Sequence, residues 1–237
     1  MIDVDSIERV LRRELAASLE EIPASRTFSA AQWAVYRDGE RACGAMGVTS
    51  FASGTPIDEN TPFDLASITK VFTATLAMIA FDRGLLTPET KVSSVFGLDP
   101  PSPTVVQLLN HSSGLPAWEK YYERYPMSDA REDIASTRAR ILADILATSR
   151  GAPGSVYAYS DLGYILLGRL LERVFGRSLD ELIRDEIAAP LGIASVRYVN
   201  ALRDERGRVD AAATEYCDHR GRPVAGVVHD ENTWIQG

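Results

Sequence analysis

Phe63-Asp64-Leu65-Ala66-Ser67-Ile68-Thr69-Lys70-Val71-Phe72 is the stretch whose reading decides the fold. It sets a Ser-x-x-Lys tetrad where a hydrophobic helix begins. Residues three apart share a helix face, so Lys70 stands one turn above Ser67 with its amine in reach of the hydroxyl. The spacing supplies a candidate nucleophile beside a candidate base. A bare Ser-x-x-Lys is weak evidence, because ordinary residue frequencies give about one match in a chain this long. Three features strengthen it. It is the only match in the sequence, it falls where helix N–H groups point outward without internal partners, and the segment from Ser67 to about Arg83, stopped by Gly84, is almost wholly apolar and so expected to be buried. The competing reading is a capping serine beside a lysine that snorkels to the surface.

Composition limits what such a pair can serve. With 237 residues, 45% hydrophobic and 24% charged, the chain can bury a substantial core as one large domain or two small ones. A formal charge of -8 argues against a sequence-independent nucleic-acid binder, which needs surplus Lys and Arg to neutralise phosphates. The start, Met1-Ile2-Asp3-Val4-Asp5, carries acids where a secretory signal has a basic patch, and no apolar run is long enough to span a bilayer. The expectation is a cytoplasmic protein with no membrane partner. Cys43 and Cys217 stand far apart without Cys-x-x-Cys pairing, and three histidines show no ligand spacing. Neither a disulfide framework, a metal site nor a cofactor is indicated.

Apolar spacing organises the rest. Ile7, Val10, Leu11, Leu15 and Leu19 predict an amphipathic helix over about 5–21 that lies against a sheet. The run from Trp33 to Gly44 reads as two strands around the turn pair Asp38-Gly39. From Thr87 to Leu191, helical segments alternate with Pro-, Gly- and Ser-rich loops. One is marked by Val105, Leu108 and Leu109, one by Ile134, Ile141 and Ile145, one by Leu162 to Val174 with Asp161 as its N-cap, and one by Ser178 to Ala189. The polar tail from Ala201 shows little periodicity. The organisation expected is an N-terminal helix and first strands over 1–60, a helical subdomain with the tetrad over 61–200, and an irregular return segment over 201–237.

A second acid/base group must reach Ser67 from elsewhere. Tyr159-Ser160-Asp161 is the best placed, since it lies in a loop immediately before a helix. The same Tyr-x-Asn/Asp pattern occurs at Tyr36, Tyr198 and Tyr216, so position rather than spacing selects Tyr159, and a lone tyrosine is often a packing residue. Trp118, Tyr121 and Tyr122 either line a substrate cleft or pack.

Together these pieces resemble the serine β-lactamase and penicillin-binding protein superfamily, particularly its class C β-lactamase-like esterases and D-amino-acid peptidases. The resemblance rests on Phe63 to Lys70, on Leu108-Leu109-Asn110-His111-Ser112-Ser113-Gly114-Leu115-Pro116, on Tyr159-Ser160-Asp161-Leu162-Gly163 through Gly168, and on Pro190-Leu191-Gly192, in that order. Val228-His229-Asp230-Glu231-Asn232 resembles a stretch in one branch. The fold implied is α+β, an antiparallel sheet flanked by helices plus a helical subdomain. Ser67 is the implied nucleophile, and Lys70 and Tyr159 share the removal and return of its proton. Each then needs its pKa pulled down: a Lys70 ammonium stabilises a Tyr159 phenolate, or a neutral Lys70 takes the proton. Asp161 stands where many relatives carry Asn. Either it favours a substrate with a cationic group, with Trp118 and Tyr122 as further substrate contacts, or it caps its helix. The resemblance places His111 in a structural turn rather than in a Ser-His-Asp triad.

The chain departs from the pattern at its end. Relatives continue through further strands and a final helix, one strand carrying Lys-Thr-Gly or a His-x-Gly or Trp-x-Gly variant. His219-Arg220-Gly221 fits as text but sits in a turn-rich tract. With those strands absent, only the Ser67 N–H would serve the oxyanion, and losing one donor costs about 2.7 to 4 kcal/mol. The expectation is a serine hydrolase acting on a small ester, amide or β-lactam, completed by a homo-oligomer or a complementing C-terminal fragment. The alternative is a noncatalytic ligand-binding or assembly module of the same fold.

Overall fold

The computed structural model describes residues 2–20, 28–51, 54–97, 102–125, 131–148, 150–198 and 211–236. Two compact units are present. One is built from Met1–Asp64 with Val199–His229, the other from Leu65–Tyr198 with Asp230–Gly237.

The first unit carries helix α1 (Val4–Glu20) and an antiparallel hairpin, β1 (Ala30–Arg37) with β2 (Glu40–Gly47). Asp38 and Gly39 both take positive φ, 51° and 83°, the backbone of a turn whose twist matches that of its strands. The register then follows, from Arg37 opposite Glu40 to Ala30 opposite Gly47. Gly44 faces Trp33, and a Cβ there would lie 2.8 Å from the indole, so the ring lies against bare backbone. The segment after β2 is tied to the return of the chain: Ala212 N–H donates to Pro62 O, Ala213 N–H to Thr49 O, and His229 N–H to the Asp64 carboxylate at 2.8 Å. The tail predicted as irregular forms a small hairpin, β3 (Tyr216–Cys217) with β4 (Arg222–Pro223), whose turn holds His219 and Arg220. Residues 201–210 of that tail lie outside the described residues.

The second unit is helical. A single 3₁₀ turn (Ala66–Ile68) leads into α2 (Thr69–Asp82), followed by α3 (Val92–Phe96), α4 (Val105–Leu109), α5 (Tyr121–Arg124), α6 (Arg131–Ala147), α7 (Asp161–Phe175) and α8 (Leu179–Leu182). A wider π turn (Ile183–Ala188) continues α8, and α9 (Glu231–Trp234) joins the same unit. Helix α7 is its axis, burying Leu162, Leu166, Leu167, Leu170 and Leu171 against Leu76 of α2, Leu108 of α4 and Ile145 of α6. Truncating one such leucine to alanine typically costs about 2 to 5 kcal/mol. Thr104 and Gln107 close a reciprocal capping box on α4, and Ser178 and Glu181 do so on α8, which satisfies N–H groups that a helix start otherwise strands.

Two expectations need correction. Helix α2 is half-buried rather than enclosed: Thr73, Leu76, Ala77 and Ala80 face the core, while Val71 and Met78 are exposed. Its apolar residues ring the whole helix, whereas its neighbours within the unit cover one side. Asp161 does not cap α7. Ser160 does, accepting the Gly163 N–H at 3.0 Å; its backbone is still extended, as an N-cap's is, and Asp161 is already the first helical residue.

The loop before α7 is stitched to the turn after α4. Gly154 N–H donates to Ser112 O, Gly151 N–H to Gly114 O, and Ala158 N–H to His111 O. Gly114, at φ 76°, has no room for a side chain: a Cβ would lie 2.3 Å from Gly151 O, whereas one on Gly151 would meet nothing. Gly114→Ala is therefore expected to destabilise by at least about 1 to 3 kcal/mol. Gly151→Ala should be far milder. Paired urea denaturation curves check this, and equal midpoints would contradict the close approach.

Candidate active site

Ser67 sits on the 3₁₀ turn rather than on the α-helix proper, and the residue before it, Ala66, takes φ 44°. A left-handed alanine is uncommon. It tips the chain so that Ser67 is exposed at the mouth of α2, while Lys70, in the first turn of α2, points back over it. Lys70 Nζ donates to Ser67 Oγ at 3.1 Å and pairs with the Asp161 carboxylate at 2.6 Å. The same ammonium lies 5.0 Å from the centroid of the Tyr159 ring and 5.8 Å from that of Tyr164. Ser67, Tyr159 and Asp161 thus converge on the Lys70 ammonium.

The electrostatics bear on the charge of Lys70. Burial alone would lower the Lys70 pKa, but hydrogen bonding and charge from Asp161, then Tyr159, outweigh it and hold the amine above its ordinary 10.5. Lys70 is an ammonium at neutral pH. Of the two arrangements the sequence leaves open, a charged and a neutral Lys70, these contacts favour the charged one.

Tyr159 is set by the residues on either side of it. Ser160, almost fully buried, caps α7 and donates from its hydroxyl to Pro116 O at 2.6 Å. Its own N–H donates to His111 Nδ1 at 3.1 Å, and the Asp161 N–H donates to Ala117 O at 2.8 Å. His111 stacks on Tyr159 with ring centroids 4.5 Å apart and on Tyr164 at 5.0 Å. Its role is that of a neighbour to the tyrosine rather than a partner of Ser67.

The aromatic trio divides. Tyr121 is fully enclosed in the core, and burial pushes its phenol up to about 12. Trp118 is 39% exposed and rests 6.0 Å from Tyr122, one residue beyond the carbonyl that binds Asp161. Sequence reading names Asn232 only within the stretch 228–232 and gives it no role. Buried at the start of α9, it accepts from Tyr122 N–H at 3.2 Å and donates to Glu119 O at 2.8 Å, fixing the loop that presents Trp118. Among the described residues, no cluster of His, Cys, Asp and Glu is arranged to hold a metal ion, and no helix is long and apolar enough to cross a membrane.

The Beta-lactamase family profile matches residues 15–231, and the chain belongs to that family. It is 31% identical over 168 residues to Penicillin-binding protein 4 of Amycolatopsis lactamdurans, covering 68% of this chain and 42% of that one. It is 30% identical over 198 residues to Esterase EstB of Burkholderia gladioli, covering 76% of this chain and 48% of the esterase. The octameric penicillin-binding protein homologue from Pyrococcus abyssi superposes with a TM-score of 0.71 at 24% identity, over 98% of this chain and 52% of that one. The fold is the β-lactamase/transpeptidase fold. The chain spans about half the length of these proteins or less.

Replacing Asp161 with Asn removes the main upward influence on Lys70 and leaves the burial that lowers it. The Lys70 pKa in Asp161→Asn is expected below that of the wild type. Because the wild-type value is raised, this lysine favours the folded state below its unfolded pKa, and that benefit fades as pH climbs through the folded value. Lysine Nζ titration by NMR reads both values; an unchanged Lys70 would contradict the pairing.

Proposed function

We propose that the chain carries the nucleophile-bearing part of a serine hydrolase that forms an acyl-enzyme on Ser67 and cleaves a small ester, amide or β-lactam. The observation that carries this reading is the 3.1 Å hydrogen bond from Lys70 Nζ to an exposed Ser67 Oγ, beside a tyrosine held against the same ammonium. Family membership supports it.

In the proposed reaction, Ser67 Oγ attacks the carbonyl carbon as its proton passes to a Tyr159 phenolate held by the Lys70 ammonium, and the phenol so formed gives that proton to the departing oxygen or nitrogen. One O–C bond forms, the scissile bond breaks, and the proton count balances. Lys70, already charged, orients Ser67 and stabilises negative charge as it develops on the nucleophile and on Tyr159. The Ser67 N–H is one donor to the oxyanion. Asp161 keeps Lys70 charged throughout, and Trp118 with Tyr122 offers an aromatic surface to the substrate's acyl or leaving group.

Intact-protein mass spectrometry after exposure to a serine-reactive phosphonate and to a penicillin tests the reading. A single adduct is expected on the wild type and none on Ser67→Ala. Lys70→Ala should slow adduct formation by about 10² or more. Equal labelling of Ser67→Ala would overturn the assignment, and a folded wild type that takes neither reagent would favour the noncatalytic module.

A further inference from the structure

His111 lies outside the proton path just described, yet three separate contacts join it to the segment that carries Tyr159. Its carbonyl accepts the Ala158 N–H at 2.9 Å, its Nδ1 accepts the Ser160 N–H at 3.1 Å, and its ring lies 4.5 Å from that of Tyr159, tilted by 35°. The residues immediately before and after Tyr159 are therefore both docked on one histidine. The geometry is purposeful at the backbone as well. His111 takes φ 59° just beyond the end of α4, which turns its side chain back toward the loop and is a conformation that His and Asn accept more readily than most residues.

We propose that His111 is a positioning residue for Tyr159, docking the Tyr159 segment only while its Nδ1 is unprotonated, so that its protonation releases that segment and sets the acid limb of Ser67 reactivity. This rests on the reading of Tyr159 as the proton carrier for Ser67. An imidazole nitrogen accepts a hydrogen bond only through its lone pair, so the Ser160 contact fixes the neutral tautomer with its proton on Nε2. An imidazolium turns Nδ1 into a donor facing a donor, and the Ser160 amide, in a nearly buried residue, loses its acceptor.

The surroundings favour the neutral ring. Burial comes first and the Lys70 ammonium on α2 second, both lowering the His111 pKa below 6.5, against the Asp161 carboxylate at the head of α7. Tyr159 and Tyr164 stack on the ring and Tyr157 meets it edge-on at 6.0 Å; the Tyr164 hydroxyl is turned away to Leu109 O. A depressed histidine pKa means that docking is complete above pH 6.5 and is lost as pH falls through the lower, folded value.

The test compares wild type, His111→Ala and His111→Asn. Asparagine accepts the left-handed backbone and places an amide oxygen near the position of Nδ1, but does not titrate. Two readouts are taken between pH 4.5 and 8: the hydrogen-exchange protection of the Ser160 amide by NMR, alongside the His111 titration itself, and the rate of phosphonate labelling of Ser67. In the wild type, both are expected to fall at the His111 midpoint, labelling by about tenfold per pH unit. His111→Ala should label about 10 to 100-fold more slowly than wild type at neutral pH, the difference closing as the pH falls below the His111 midpoint. His111→Asn should retain most of the neutral rate with a flattened acid limb. An acid limb unchanged in His111→Asn, or Ser160 protection indifferent to the His111 titration, overturns the proposal. If the wild type takes no label at any pH, the hydrolase reading fails on its own, and the Ser160 amide still decides whether His111 holds the segment.

Discussion

Ser160 is the point on which the second unit and its chemistry depend. One nearly buried residue caps α7 through Gly163, donates its hydroxyl to Pro116 and gives its N–H to His111. Helix α7 is in turn the axis against which α2, α4 and α6 pack. Because Tyr159 and Asp161 flank Ser160, the interaction that starts the core helix also fixes the two groups that face Lys70. Packing and chemistry share an anchor, so a core defect in α7 would reach the site through backbone rather than through contact with Ser67.

Asp161 gives this anchor its electrical consequence. A carboxylate at the first position of a helix is favoured by the partial positive charge there, and here it also neutralises a half-buried ammonium at 2.6 Å. An amide at the same place would orient the lysine without balancing its charge. The pair favours a charged Lys70 over the neutral one that spacing left open. In the proposed reaction the lysine then stabilises charge while the phenol beside it moves the proton.

Much of this was legible from residue pattern, because local rules and tertiary packing agree there. The Asp38-Gly39 pair dictated its hairpin, helical periodicity located α1, α4, α6 and α7, and the tetrad placed Ser67 and Lys70 within hydrogen-bond reach. The failures have physical causes. A serine and an aspartate in succession both suit a cap, and only the geometry of the Gly163 N–H chooses between them. An all-apolar helix signals burial without saying how many faces its neighbours will cover, hence exposed Val71 and Met78. The bonds from His111 to Ser160 and from Asn232 to Glu119 span 49 and 113 residues, and no local pattern encodes a contact at that range. The π turn at Ile183–Ala188 carries an ordinary helical sequence.

The left-handed Ala66 bears on how Ser67 is kept still. Holding a non-glycine residue there costs about 1 to 3 kcal/mol and persists only where surrounding structure over-determines it. A glycine would remove the strain, but it would also enlarge the set of conformations open to the turn. Alanine is the smallest side chain that still narrows that set. The chain thus trades a little cohesion for a turn that leaves Ser67 few alternative orientations, so that the resting backbone itself limits the directions in which its hydroxyl can face.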